Sequence, residues 1–145
     1  MNDGGETVRG HGTFDHTADV GLRASGADLP ELFEEAAAAL IETILDPSTV
    51  EKEQAVTVRA EGGDTEDLLV GWLEELLFLS EVDNFAPAAV EVEGLTEQDV
   101  RGTVWGEPMD PARHQLRSEV KAVTYHDLEI RETDDGYAVE IVLDV

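Results

Sequence analysis

The residues best suited to chemistry lie at the two extremes of the chain. The run Phe14-Asp15-His16-Thr17-Ala18-Asp19-Val20-Gly21-Leu22 sets Asp19 in a turn-like stretch between apolar segments, and Asp144-Val145 closes a final alternating run. Carboxylate and main-chain oxygens, including a terminal carboxylate at Val145, are hard donors that suit a divalent cation. The condition is spatial: the two extremes must meet. Each acid also has a plainer reading. Asp19 fits a turn in which the side chain bonds its own backbone, and Asp144 fits an acid satisfied by water. It alternates with Ile141 and Leu143 and so stays out of the main core.

Other chemistries find little support. There is no cysteine, which removes disulfides, thiolate metal sites and cysteine nucleophiles. Gly62-Gly63 is not followed by the Gly-Lys-Ser or Gly-Lys-Thr of a phosphate loop. No Gly-x-Ser-x-Gly elbow occurs. The histidines His11, His16, His114 and His126 lack the helical i, i+4 spacing of a zinc protease. Nothing marks a self-sufficient enzyme.

The charge balance is extreme: 34 acids against nine basic residues give a net charge of −25. The acids run along the whole chain rather than gathering in a tail. That distribution fits a cytoplasm of molar salt, as in a halophile, where charges are screened within about 3 Å at 1 M. A specialised basic partner is the other reading. Nucleic-acid binding is not expected, because no basic patch exists to release phosphate counterions. No apolar run reaches the roughly 18 residues of a membrane span, and the polar start Met1-Asn2-Asp3-Gly4-Gly5-Glu6 has no secretory pattern. A cytoplasmic protein that touches no membrane is expected.

The elements that must position the acids follow from periodicity. Residues 1–11 read as a disordered N-terminal extension, and 12–145 as one domain long enough to bury roughly 68–70% of its unfolded surface. Short strands are expected at 12–15 and 21–24. Asp28-Leu29-Pro30-Glu31 starts a helix with an N-cap acid and a first-turn proline, and Leu29, Leu32, Phe33, Ala36, Leu40 and Ile44 continue it to Asp46-Pro47. Val56, Val58 and Ala60 read as a strand. Asp64 or Thr65 caps a second helix over 66–81, whose apolar residues cover much of its circumference. Trp72 belongs to the core rather than to a stacking platform.

Strands follow after Ala86-Pro87: around 90–92, over 100–105, 119–125 and 128–132, and finally Tyr137, Val139, Ile141 and Leu143 after the Asp134-Asp135-Gly136 turn. The fold class is α+β, a mostly antiparallel sheet with two main helices packed on one face. Tyr125 and Trp105 are expected to pack in the core or at its edge. Glu107, Arg113, His114 and His126 are expected at the same end of the sheet as the acids.

Three segments stand out: the His16–Gly21 turn; Arg113-His114 with Glu119-Val120-Lys121-Ala122-Val123-Thr124-Tyr125-His126; and Leu143-Asp144-Val145. With Leu32-Phe33-Glu34-Glu35-Ala36-Ala37 and Leu73-Glu74-Glu75-Leu76-Leu77-Phe78-Leu79, they closely resemble the archease family, from about Phe14 to Val145.

The resemblance implies a non-enzymatic partner of the RtcB-type RNA ligase, which joins tRNA exon halves using GTP and divalent metal through a guanylate on a histidine. An archease promotes that guanylylation and multiple turnover. The alternative that the resemblance implies is a chaperone-like modulator of tRNA-modifying enzymes such as a tRNA cytosine methyltransferase. It also implies a divalent cation, calcium first, with magnesium or manganese as alternatives, at Asp19, Asp144 and Val145. His16, Lys121, Glu119 and Glu107 are candidates for contacts with the partner or for support behind the cation ligands. For His16 a structural hydrogen bond, and for Lys121 a local salt bridge, are the plainer readings.

Overall fold

The computed structural model describes residues 9–16 and 19–145, the side chains of Asp15 and His16 excepted. Thr17 and Ala18 of the expected turn, and residues 1–8 of the expected extension, lie outside the described residues. In chain order the elements are β1 (Gly10–His16), β2 (Asp19–Gly26), α1 (Leu29–Ile44), a 3₁₀ turn (Pro47–Thr49) and β3 (Gln54–Glu61). Then come α2 (Thr65–Glu81), β4 (Phe85–Leu95), β5 (Asp99–Pro108), β6 (Ala122–Val123), β7 (Arg131–Thr133) and β8 (Gly136–Asp144). The α+β class and the single domain hold. Strand β1 opens at Gly10, so Gly10 and His11 belong to the fold rather than to the extension expected over 1–11.

The strands divide into two antiparallel sheets, where alternation alone suggested one. The first has the order β1-β2-β8-β6 with β7 also on β8, and the second is β3-β5-β4. Helix α1 packs on β2 and β4, and α2 on β3 and β6, so each helix touches both sheets. One continuous core results, with Phe33, Leu40, Leu69, Trp72, Ile141 and Leu143 within it.

Both helices start as their sequences require. Asp28 Oδ1 accepts from Glu31 N at 2.9 Å and Glu31 Oε1 from Ala27 N at 2.9 Å. Asp64 Oδ1 accepts from Asp67 N at 2.8 Å, and Asp67 Oδ2 accepts in return from Gly63 N at 2.9 Å. The bonds from Glu31 N and Asp67 N satisfy first-turn N–H groups that have no helical partner, and the return bonds from Ala27 and Gly63 fix the chain entering each helix.

The end of α1 explains one failure of the strand pattern. Its last carbonyls are met by Leu45 N on Ile41, Arg117 Nη1 on Glu42, Ser118 N on Thr43 and Arg117 N on Ile44. Residues 117 and 118 thus spend backbone donors on a helix end. The strand expected over 119–125 shrinks to β6. The next one, expected over 128–132, is displaced to β7, because Leu128 N turns back to Tyr125 O and Asp127 has a φ of 52°.

Strand β4 begins before Pro87 rather than after it. The register steps between Pro87 and Ala89, a bulge that absorbs the missing N–H.

Trp72 fixes how α2 sits on the second sheet. Its Nε1 donates to Phe33 O at 3.1 Å, and its ring lies over Gly102 of β5. A Cβ at Gly102 would sit 2.6 Å from Trp72 Cη2 and against Glu91 O, whereas a Cβ at Gly12 meets nothing within 4 Å. Gly102→Ala is therefore expected to lower unfolding free energy by about 1–3 kcal/mol through overpacking. Gly12→Ala should be neutral or raise it by up to about 1 kcal/mol by restricting the unfolded chain. Urea unfolding of both variants checks the opposite signs.

Candidate functional site

Strand β8 runs between β2 and β6, and this brings the chain's extremes together. Its register with β2 pairs Ala24 with Val139, Leu22 with Ile141 and Val20 with Leu143. One step further the same register sets Asp19 opposite Asp144. On the other flank Ala122 pairs with Asp144, and Lys121 N donates to Asp144 O at 2.7 Å. On β1, His16 pairs with Asp19. A single row across the sheet therefore reads His16, Asp19, Asp144, Ala122. Residues directly opposite in an antiparallel pair share a face, with Cβ atoms about 4.5–5.5 Å apart.

Burial decides which face carries the acids. Leu22, Ile141 and Leu143 are buried to the core, so the alternating positions Asp19 and Asp144 face outward, and Asp144 is exposed. The same outer face explains Gly21. The Phe14 ring lies on it, so that any Cβ there would collide with the ring. Arg23 then covers the ring from 4.6 Å and pairs with Glu140 at 3.0 Å.

The oxygen donors suit a hard cation, but their number is small. Among the described residues no group of three or more His, Cys, Asp or Glu side chains is placed to hold a metal. Two carboxylates underfill the six to eight oxygens of calcium. The remaining ligand positions would have to come from water, a bound phosphate or a second surface. Val145 follows Asp144 and packs partly against the core.

The remaining expected site residues divide. Lys121 is exposed and makes no salt bridge among the described residues, so the local ion pair read for it is absent. Its main chain is what touches Asp144. Glu119 is exposed on the loop before β6.

Glu107 does not join them. It sits on β5 of the other sheet, only 3% exposed, with Oε2 accepting from Glu51 N at 2.9 Å and from His114 Nε2 at 2.7 Å, and Oε1 paired with Arg113 at 2.6 Å. Asp110 N donates to His114 Nδ1, which leaves the ring proton on Nε2, facing the carboxylate. Glu107, Arg113 and His114 therefore tie β5, the loop after it and the entry to β3. They do not line the acidic row.

His126 is exposed in the turn after β6. Tyr125 is exposed as well, contrary to the packing role expected, and its hydroxyl donates to Asp67 Oδ1.

A second cluster went unread because it uses residues 9–11. His11 Nδ1 and Nε2 lie 2.8 Å from Glu35 and 2.8 Å from Glu42, and Arg9 reaches Glu31, Glu34 and Glu35. Burial alone would lower the His11 imidazole, but the two carboxylates outweigh it and raise its pKa. The acids at 31, 34, 35 and 42 on one side of α1, close after two of the few cations, were the available signal.

The Archease protein family model matches residues 11–145. This chain belongs to the archease family. An archease from Methanopyrus kandleri is 44% identical over 136 residues, covering 91% of this chain and 96% of its own length. One from Pyrococcus furiosus is 38% identical with the same coverage. The solution structure of a Methanobacterium thermoautotrophicum protein superposes with a TM-score of 0.78 at 36% identity, over 95% of this chain and 100% of its own. A crystal structure from Thermotoga maritima, described as an archease and possible chaperone, gives 0.65 at 25% identity, over 91% and 94%. Of the archease segments noted in the sequence, the described residues of His16–Gly21 lie on β1 and β2, Ala122-Val123 form β6 and Leu143-Asp144 end β8. Residues 32–37 lie on α1, residues 73–79 on α2, and Arg113-His114 belong to the tie on Glu107.

That tie has a pH signature. The Glu51 N–H, with His114 and Arg113, pulls the Glu107 carboxyl down to about 2 against the opposing effect of burial. A folded-state value below the unfolded one means the contribution is complete above about pH 4.5 and is lost as pH falls toward 2. Glu107→Gln should therefore unfold at lower temperature than wild type at neutral pH. The gap should close between about pH 4.5 and 2 in thermal scans read by circular dichroism; a gap independent of pH would contradict this.

Proposed function

We propose that this chain is a non-catalytic activator of an RtcB-type tRNA-splicing RNA ligase, working in a salt-rich cytoplasm with a divalent cation at Asp19, Asp144 and Val145. The observation that carries this reading is the β2–β8 register, which runs to Val20 opposite Leu143 and leaves Asp19 and Asp144 as the next residues of neighbouring strands, on the outward side of the sheet. Membership of the archease family supports the choice of partner.

Two carboxylates beside exposed main chain offer an incomplete shell, which a ligase-bound GTP phosphate or ligase side chains would complete. The cation is calcium, or magnesium or manganese where phosphate oxygens complete the shell. When bound, it supplies charge neutralisation during nucleotidyl transfer. The chain's own residues supply anions fixed by strand pairing, and Lys121 N holds the Asp144 main chain from the far side.

A second reading has its own support. The Thermotoga relative is described as a possible chaperone, and a net charge of −25 would keep a basic client such as a tRNA cytosine methyltransferase soluble. On that reading stimulation tracks total charge, so Glu51→Gln with Glu53→Gln would matter as much as Asp19→Asn.

Single-turnover guanylylation of the ligase separates the two. Asp19→Ala and Asp144→Ala are expected to lose at least about tenfold of the stimulated rate, the scale of removing one preorganised electrostatic group. The Glu51 and Glu53 changes should leave it unaltered. Full stimulation by both aspartate variants would remove the cation account.

A further inference from the structure

The surface of this chain is acidic almost everywhere, which makes its exposed apolar side chains informative. Among the described residues the exposed large hydrophobics are Phe78 at 53%, Val82 at 62%, Leu116 at 50% and Tyr125 at 57%. They are not scattered. Asp67, Glu74, Phe78 and Val82 fall at i, i+7, i+11 and i+15 of α2, one face of the helix. Tyr125 is fastened to that face by its bond to Asp67 Oδ1. At the other end Val82 and Leu116 both line a groove of about 790 Å³, together with Ile44, Leu77, Met109 and Val120. The line from Asp67 to Val82 spans about 22 Å at 1.5 Å per residue. Phe78, Val82 and Leu116 gather at the C-terminal end of α2 and its groove, a patch of the kind that marks a contact surface, whereas single exposed apolar residues such as Tyr125 do not.

Charge says what covers it. Glu74, Glu75 and Glu81 flank the ridge, Glu119 lines the groove, and α2 carries no basic residue. Arg117, on the groove wall, is engaged with Glu42 O and Asp46. A second copy would set like charges face to face, so self-association is disfavoured. A partner with apolar anchors flanked by arginine or lysine is favoured.

We propose that the ridge of Phe78, Val82 and Leu116 is the docking surface for a basic partner protein, which on the functional reading above is the RNA ligase. The partner's name rests on that reading; the position of the surface rests on the ridge alone. Anchoring is apolar, and the acids orient the encounter.

The test is binding of the intact protein to the ligase by fluorescence anisotropy. It is run at about 0.1 M and about 1 M KCl, where the Debye length falls from about 10 to about 3 Å. Phe78→Asp with Val82→Asp, and separately Leu116→Asp, are expected to weaken binding at least about tenfold at both salt levels. Serine at positions 78 and 82 should give the same direction without added charge. Thermal unfolding of these exposed-site variants should match wild type. Glu51→Gln with Glu53→Gln, exposed and away from the ridge, should bind as the wild type does.

Binding undiminished in the ridge variants would overturn the ridge and leave the acidic pair standing. Absence of binding by the wild type would overturn both. A wild-type dimer in sedimentation that Phe78→Asp dissociates would assign the ridge to a second copy and overturn the basic partner.

Discussion

The register between β2 and β8 is the constraint on which the rest depends. Side chains alternate along a strand, so a slip of one residue would exchange its two faces. Here the slip is blocked from the inside: Leu22 opposite Ile141, and Val20 opposite Leu143, seat their side chains against the core. The outward row is a consequence. Asp19 and Asp144 meet because apolar residues beside them are buried, and no attraction between the two acids is needed.

Nine basic residues against 34 acids leave few cations to spend, and four of them, Arg9, Arg23, Arg113 and Arg117, are used at joints. Arg9 fastens β1 to α1, Arg113 closes the tie on Glu107, and Arg117 covers the last turn of α1. Arg23 sits over Phe14 and so steadies the face that carries the acidic row. Exposed ion pairs contribute little individually. The buried carboxylate of Glu107 is different, since removing Arg113 and His114 would leave it, in a low-dielectric setting, with only the Glu51 N–H as a partner.

The sequence made the helices legible because their signals are local. The caps at Asp28 and Asp64 and the apolar spacing of α1 depend on residues a few positions apart. The partition into two sheets was not legible, because period-two alternation says that a strand has a buried face and nothing about which strand lies beside it. Segment 119–125 alternates well enough to read as a strand. Its neighbours Arg117 and Ser118 had already committed their donors to the carbonyls of α1, a pairing some 75 residues distant. Glu107, expected at the same end of the sheet as the acids, instead closes a tie with His114, Arg113 and the Glu51 N–H, the last 56 residues away and beyond the reach of a local pattern. For the site, two acids were picked out and the need for them to meet was clear. The strand that joins them was the cleanest alternating run in the chain, yet its neighbours could not be named.

Salt sharpens the division between the two surfaces. In about 1 M salt, screening over about 3 Å removes long-range steering but leaves direct coordination and apolar contact in place. An acidic protein that must find one partner under those conditions cannot rely on its general charge, which every acidic neighbour shares. It needs contacts that act at van der Waals distance. Apolar side chains on a rigid helix satisfy that need, because their burial free energy is not screened. Carboxylates held by a strand register satisfy it for a cation, whose ligands lie within the screening length. On the proposed reading, association falls to the α2 ridge and chemistry to the β2–β8 row, and β6, against α2 on one side and β8 on the other, is the element that links them.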